Sequence, residues 1–324
     1  MRRPTLIAAG LLLFACAEPT PASVTGDAGS GDDASSTPTD AAAPRDAFRP
    51  DIGPDVWAPT DAGAIRTMPT FPEAHGTCPD LTTSGTVTFS PDGIAPRSAR
   101  IWVGPAAATL DGPLVFVWHG AGGSPNDASY ILGDATTDIV EAGGIVIAPS
   151  HDPANTGLPW FLDTTTQEDD LFVADEALAC ARASIGIDDM HVHSVGFSAG
   201  ALHTTQMSFR RASYVASVVT YSGGLISRTA PDRDAPDARF AAMILFGGPD
   251  DVVIVRFEQT SQQYLAAMQR AGDFGFLCDH GMGHTVPTAA RLSAWRFLQD
   301  HPYGMTPHAY EDGLPDGFYS YCSL

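Results

Sequence analysis

From residue 85 onward, short apolar runs alternate with stretches of helical spacing. TVTFS (86–90) and SARIWVG (98–104) alternate apolar and polar positions, as half-buried strands do, and SPDG turns the chain between them. PLVFVWHG (113–120) and GGIVIAPS (143–150) are solid apolar runs, the pattern of strands buried on both faces. Residues 125–142 between them have helical spacing. EDDLFVADEALACARAS (168–184) predicts a helix with an acidic first turn. MHVHSVGFS (190–198) runs from strand into turn, and AGALHTTQMSFRRA (199–212) continues as helix. YVASVVTYSG (214–223), FAAMILFGG (240–248) and GFLCDHG (275–281) predict further strands. Residues 257–272 and VPTAARLSAWRFLQ (286–299) predict helices, the last capped by Thr285 with Pro287 in its first turn. Strand and helix alternate, so the class is α/β, with a mostly parallel sheet and helices on both faces. In such sheets the chemistry sits at the carboxyl ends of the strands.

The first 70 residues follow another pattern. Arg2 and Arg3 precede a short apolar run, Leu6 to Phe14, too short to span a bilayer as a mature helix. It ends in LFAC (13–16), which resembles the lipobox of bacterial lipoproteins and makes Cys16 the candidate for lipidation. An export signal over residues 1–16 is expected, with a membrane anchor through the lipid. Residues 17–70 are rich in Ala, Asp, Pro, Ser, Thr and Gly and poor in large apolar side chains. They are expected to form a disordered acidic linker, which leaves residues 71–324 as the folded domain.

Charge narrows the partners. The formal net charge is −21, and all 17 basic residues are Arg. No basic patch suits nucleic acid. Apart from Cys16 the chain has four cysteines, Cys78, Cys180, Cys278 and Cys322. In an exported domain that even number predicts two disulfides, with three pairings open. No C-x-x-C or H-E-x-x-H spacing is present, and neither a metal nor a cofactor is expected.

The candidate chemistry centres on GFSAG (196–200), a G-x-S-x-G placed after a predicted strand and before a predicted helix. That context is the nucleophile elbow, in which small neighbours permit a sharp turn and Ser198 is the nucleophile. A serine hydroxyl needs a base and an orienting carboxylate, in the chain order Ser, acid, His. Asp250 and Asp251 follow the strand FAAMILFGG. His284 follows the last strand in GMGHTVP. His280 is its rival, and its place before the loop suits packing. His191 and His193 are expected to be structural, and His203 to pack near the site. Oxyanion donors are expected from the N–H groups of Ala199 and of Ala121, in HGAGGS (119–124). Trp160 and Phe161, in LPWF (158–161), either line a substrate pocket or pack their loop onto the core.

VFVWHGAGGS, VGFSAGA, FGGPDD and GMGHTVP together resemble segments of the secreted α/β-hydrolases that include polyhydroxybutyrate depolymerases, feruloyl esterases and acetylxylan esterases. The resemblance spans roughly residues 85–300. It implies the α/β-hydrolase fold and an ester hydrolase with Ser198 as nucleophile, His284 as base and Asp250, in preference to Asp251, as the orienting acid. The implied partner is an ester substrate, of plant polysaccharide or polyester type. The chain departs from the family pattern at Phe246-Gly247, where His-Gly is frequent, and that blurs the substrate class. A serine peptidase on the same fold and a non-catalytic binding lipoprotein are the alternatives. The Pro- and aromatic-rich tail is expected to wrap the domain and be pinned through Cys322.

Overall fold

The computed structural model describes residues 64–65, 67–155, 158–160 and 168–324, all within one contact unit, Ile52–Leu324. The expected signal segment with Cys16, and the linker up to residue 63, lie outside the described residues.

Among the described residues, nine strands form one sheet in the order β11-β9-β8-β7-β6-β4-β5-β3-β2. The hairpin β2 (Gly85–Phe89) and β3 (Arg97–Val103) is antiparallel and joins β5 (Ile145–Pro149) antiparallel. From β5 the sheet runs parallel through β4 (Leu114–Trp118), β6 (Val192–Phe197), β7 (Ser217–Tyr221), β8 (Ala241–Phe246) and β9 (Phe274–Asp279). The far edge is closed by β11 (Cys322–Ser323), antiparallel to β9. A separate pair, β1 (Ala64–Ile65) and β10 (Met305–Thr306), begins the paired backbone inside the stretch expected to be linker.

Side chains of the central strands alternate between two cores. Leu114, Phe116 and Trp118 join one cluster, with α3 (Asp169–Ser184), α4 (Ala199–Arg210) and α5 (Phe257–Ala271). Val115 and Val117 join the other, with α1 (Ala128–Leu132), α2 (Ala135–Glu141) and α6 (Ala290–Asp300). Both faces are covered, which is why these strands are apolar at every position. The expected helix over 125–142 is instead two helices. Gly133 breaks it at φ 59°, a left-handed backbone that terminates α1. The last helix starts at Ala290, later than the cap at Thr285 predicts, and the Thr285 hydroxyl bonds Tyr130 instead.

Among the described residues the four cysteines form two disulfides. Cys78–Cys180 ties the segment before the sheet to α3. Beside it, buried Glu176 accepts the backbone N–H groups of His75 (2.8 Å) and Gly76 (2.9 Å). Cys278–Cys322 joins paired positions of β9 and β11 and so pins the tail to the sheet edge.

The order of strands positions the chemistry. The chain enters the parallel region at β4, steps to β5, then crosses back to β6 on the other side of β4. The loops after β4 and β6 therefore leave neighbouring strand ends in divergent directions, opening the crevice where such sheets bind ligands.

Two histidines in the core are held neutral by burial. His193 pairs with Ser217 Oγ at 2.9 Å, and its imidazole is pushed well below the usual range. His301 donates from Nδ1 to the Phe297 carbonyl at 2.8 Å and stacks on Phe274, and burial takes it from 6.5 to about 3. The unfolded chain takes up these protons near 6.5, whereas folded His301 resists until about 3. Stability from this source is complete above 6.5 and is lost as pH falls from 6.5 toward 3. The melting temperature is expected to drop between about pH 8 and about pH 4.5, and His301→Phe is expected to flatten that drop in calorimetric scans.

Candidate active site

Ser198 follows β6 directly and precedes the first residue of α4. Its backbone lies at φ 57° and ψ −122°, a conformation that side chains other than glycine rarely adopt. Small neighbours make the turn possible. A Cβ on Gly196 would stand 2.3 Å from the Gly200 carbonyl oxygen, and one on Gly200 would stand 2.0 Å from that of Trp118. The glycines of GFSAG are required by backbone contact, as the nucleophile-elbow pattern predicts.

His284 Nε2 lies 2.9 Å from Ser198 Oγ, and its Nδ1 lies 2.7 Å from Asp251 Oδ1. A carboxylate only accepts, so Nδ1 carries the proton and Nε2 faces the serine hydroxyl as acceptor. The imidazole lies between two phenyl rings. Phe257 stacks at 4.9 Å between centroids and Phe197 sits at 4.8 Å on a tilt. Tyr130 braces the same loop, its hydroxyl accepting the Val286 N–H at 2.8 Å and bonding Thr285 Oγ1 at 2.8 Å.

The carboxylate set against His284 is Asp251, which corrects the expectation of Asp250. Pro249 and Asp250 belong to a single 3-10 turn, Gly248–Asp250, and Asp250 points to solvent. The Asp251 N–H closes that turn on the Gly248 carbonyl at 3.1 Å, which brings the next side chain inward. Asp251 is fully buried. Its Oδ2 accepts the Ser222 hydroxyl at 2.7 Å and the Gly247 N–H at 2.9 Å. Ser222, Phe257 and Tyr130 were not legible as site residues, because each comes from an element that carries no recognisable motif, and Phe197 was not because it fills a variable position of G-x-S-x-G.

The HGAGGS loop reaches Ser198. A Cβ on Gly120 would stand 3.2 Å from Ser198 Cβ. The Gly120 carbonyl accepts His119 Nδ1–H at 2.8 Å and the Gly123 N–H at 3.0 Å. In the planar trans peptide the Ala121 N–H therefore points away from the Gly120 carbonyl, across the C–N bond. His119 is buried, which lowers its pKa, and His151 Nδ1 lies 3.4 Å from its Nε2. The N–H of Ala199 belongs to the first turn of α4, where backbone donors have no intrahelical acceptor and the helix end is electropositive.

Of the two pocket candidates, Trp160 is only 2% exposed. Its indole N–H donates to the His119 carbonyl at 2.8 Å, and its ring meets Trp118 edge-on at 5.0 Å. It supports the HGAGGS loop from within the core and does not offer a wall to a ligand. Phe161 lies outside the described residues. His203 packs on Trp118 at 4.3 Å, His191 bonds Asp188 at 2.8 Å, and His280 accepts the Met282 N–H at 3.2 Å in its own turn. Cys78, Cys180 and Glu176 lie within 4.8 Å of one another, but the two sulfurs are bonded to each other and offer no thiolate to a metal.

No protein-family model matches the chain, and no curated protein matches it. Solved structures do match. A Ser-to-Ala variant of pOPH in complex with pNPB is 17% identical, with a TM-score of 0.61 over 77% of this chain and 96% of that one. Native sOPH is 18% identical, with a TM-score of 0.58 over 77% and 97%. A thermostable esterase is 18% identical, with a TM-score of 0.54 over 68% and 63%. The sheet order, the helices on both faces and these likenesses define the class: the chain has the α/β-hydrolase fold.

Phe257 is 2% exposed and forms one wall of the His284 slot. Phe257→Ala is expected to cost about 3–5 kcal/mol through the cavity it leaves, measured by urea denaturation.

Proposed function

We propose that the chain is an exported serine hydrolase of carboxylic esters, acting through an acyl-enzyme. The observation that carries this reading is the unbroken line Ser198–His284–Asp251, at 2.9 and 2.7 Å, with the serine on a left-handed turn between strand and helix. In the first step Ser198 Oγ attacks the ester carbonyl carbon while His284 Nε2 takes the hydroxyl proton. The oxyanion accepts the N–H groups of Ala199 and Ala121. His284 returns the proton to the leaving alcohol as the C–O bond breaks. Water then attacks the acyl-enzyme with His284 again as base, and the acid leaves as Ser198 recovers its proton. Asp251 stays ionised throughout, holding the imidazole in one tautomer and stabilising the imidazolium. Support beyond this chain comes from the shared fold, since the like structures include one described as an esterase.

Ser198→Ala is expected to lower kcat on p-nitrophenyl acetate by on the order of 10⁶. Asp251→Asn should cost on the order of 10⁴, and Asp250→Asn should leave the rate near wild type. Equal rates for Ser198→Ala and wild type would sink the reading. Substrates are esters of the feruloyl or acetyl-polysaccharide type or of the polyhydroxyalkanoate type, and a panel of feruloyl, acetyl-xylan and hydroxybutyrate esters distinguishes them.

The folded domain works outside the cytoplasm, tethered by the N-terminal linker to a lipid on Cys16. Support comes from the lipobox-like LFAC and from the two disulfides, which suit an oxidising compartment. Among the described residues no helix is long and apolar enough to cross a membrane. Cys16→Ser is expected to abolish incorporation of radiolabelled fatty acid and to move the protein from the detergent phase to the aqueous phase.

A further inference from the structure

Ser222 stands at the carboxyl end of β7, between the strand that delivers Ser198 and the strand that delivers Asp251. Apart from Ser198, it is the one described non-glycine residue at positive φ, at 55°. It is fully buried. Its N–H donates to the Leu245 carbonyl at 2.8 Å, which locks the strained backbone to β8. Its hydroxyl donates to Asp251 Oδ2 at 2.7 Å. Glycine adopts this backbone without strain, and the chain does use glycine at the next two positions, Gly223 and Gly224. A serine is kept where glycine would fit the backbone better, so its side chain has a use.

We propose that Ser222 is a positioning residue for the triad, holding the Asp251 carboxylate in the rotamer that meets His284. The proposal rests on the triad reading above. Asp251 Oδ1 is committed to His284, while Oδ2 faces two donors, the Ser222 hydroxyl and the Gly247 N–H. A carboxylate buried to this degree stays charged through its donors. Two donors on one oxygen also fix the plane of the carboxylate, and hence the angle at which Oδ1 meets Nδ1. Removing the hydroxyl leaves Oδ2 to the Gly247 N–H alone, and the plane that aims Oδ1 at Nδ1 is no longer fixed from two sides.

The test is a panel of Ser222→Ala, Ser222→Gly and Ser198→Ala, assayed on p-nitrophenyl acetate. Rates of wild type and of the Ser222 variants are normalised to active sites titrated with a fluorophosphonate, and that of Ser198→Ala, which has no hydroxyl to titrate, to folded protein measured by circular dichroism. Both Ser222 variants are expected to lower kcat on the order of 10-fold with little change in KM. Wild-type kcat in both variants would overturn the proposal. So would a wild-type Ser222→Gly beside an impaired Ser222→Ala, because backbone strain alone would then be at issue. If Ser198→Ala keeps the wild-type rate, the triad reading itself fails, and that outcome is distinct from the other two.

Discussion

A carboxylate with no exposed surface sits at the centre of this site, and its charge constrains what surrounds it. An unpaired buried charge costs far more than a domain of this size can spare, so Asp251 must be met by donors. Three elements supply them. His284 comes from the loop after β9, Ser222 from the end of β7 and Gly247 from the end of β8. Those donors hold only while β7, β8 and β9 keep their register, in which Tyr221 faces Leu245 and Leu245 faces Cys278. The disulfide at Cys278 and the added strand β11 stiffen the edge from which His284 hangs. Architecture and electrostatics are thus one problem at this end of the sheet.

The opposite wall obeys a steric constraint. Ser198 is held at positive φ because β6, α4 and the end of β4 approach to backbone contact, and only glycine fits at 196 and 200. The HGAGGS loop rests on Trp160 and is oriented through its own histidine, so its N–H groups are set by packing before any ligand arrives. Buried Trp118, Trp160 and His203 form the floor beneath this wall.

The strands were legible because both faces of the sheet are covered, leaving uniform apolar runs bounded by Gly, Pro and Asp. The elbow was legible because its glycines answer to backbone geometry within five residues. Asp251 was not separable from Asp250, since neighbouring acids differ only in which way a 3-10 turn delivers them. Thr285 looked like a helix cap because its contact with Tyr130, 155 positions earlier, has no local trace. Trp160 fitted a pocket wall or a packed loop equally well until its indole found the His119 carbonyl.

By itself the sequence determined the α/β class, the alternation of the main strands and helices, and the placement of Ser198 in a turn between strand and helix, because each is encoded by local spacing and by residue types with few conformational choices. It also limited the cysteines to two bridges. Only the tertiary structure decided the pairing Cys78–Cys180 and Cys278–Cys322, the choice of Asp251, and the company of Ser222, Phe197 and Phe257 around the site. These depend on which strand ends become neighbours, and strand order is set by long-range packing rather than by the residues of any one segment.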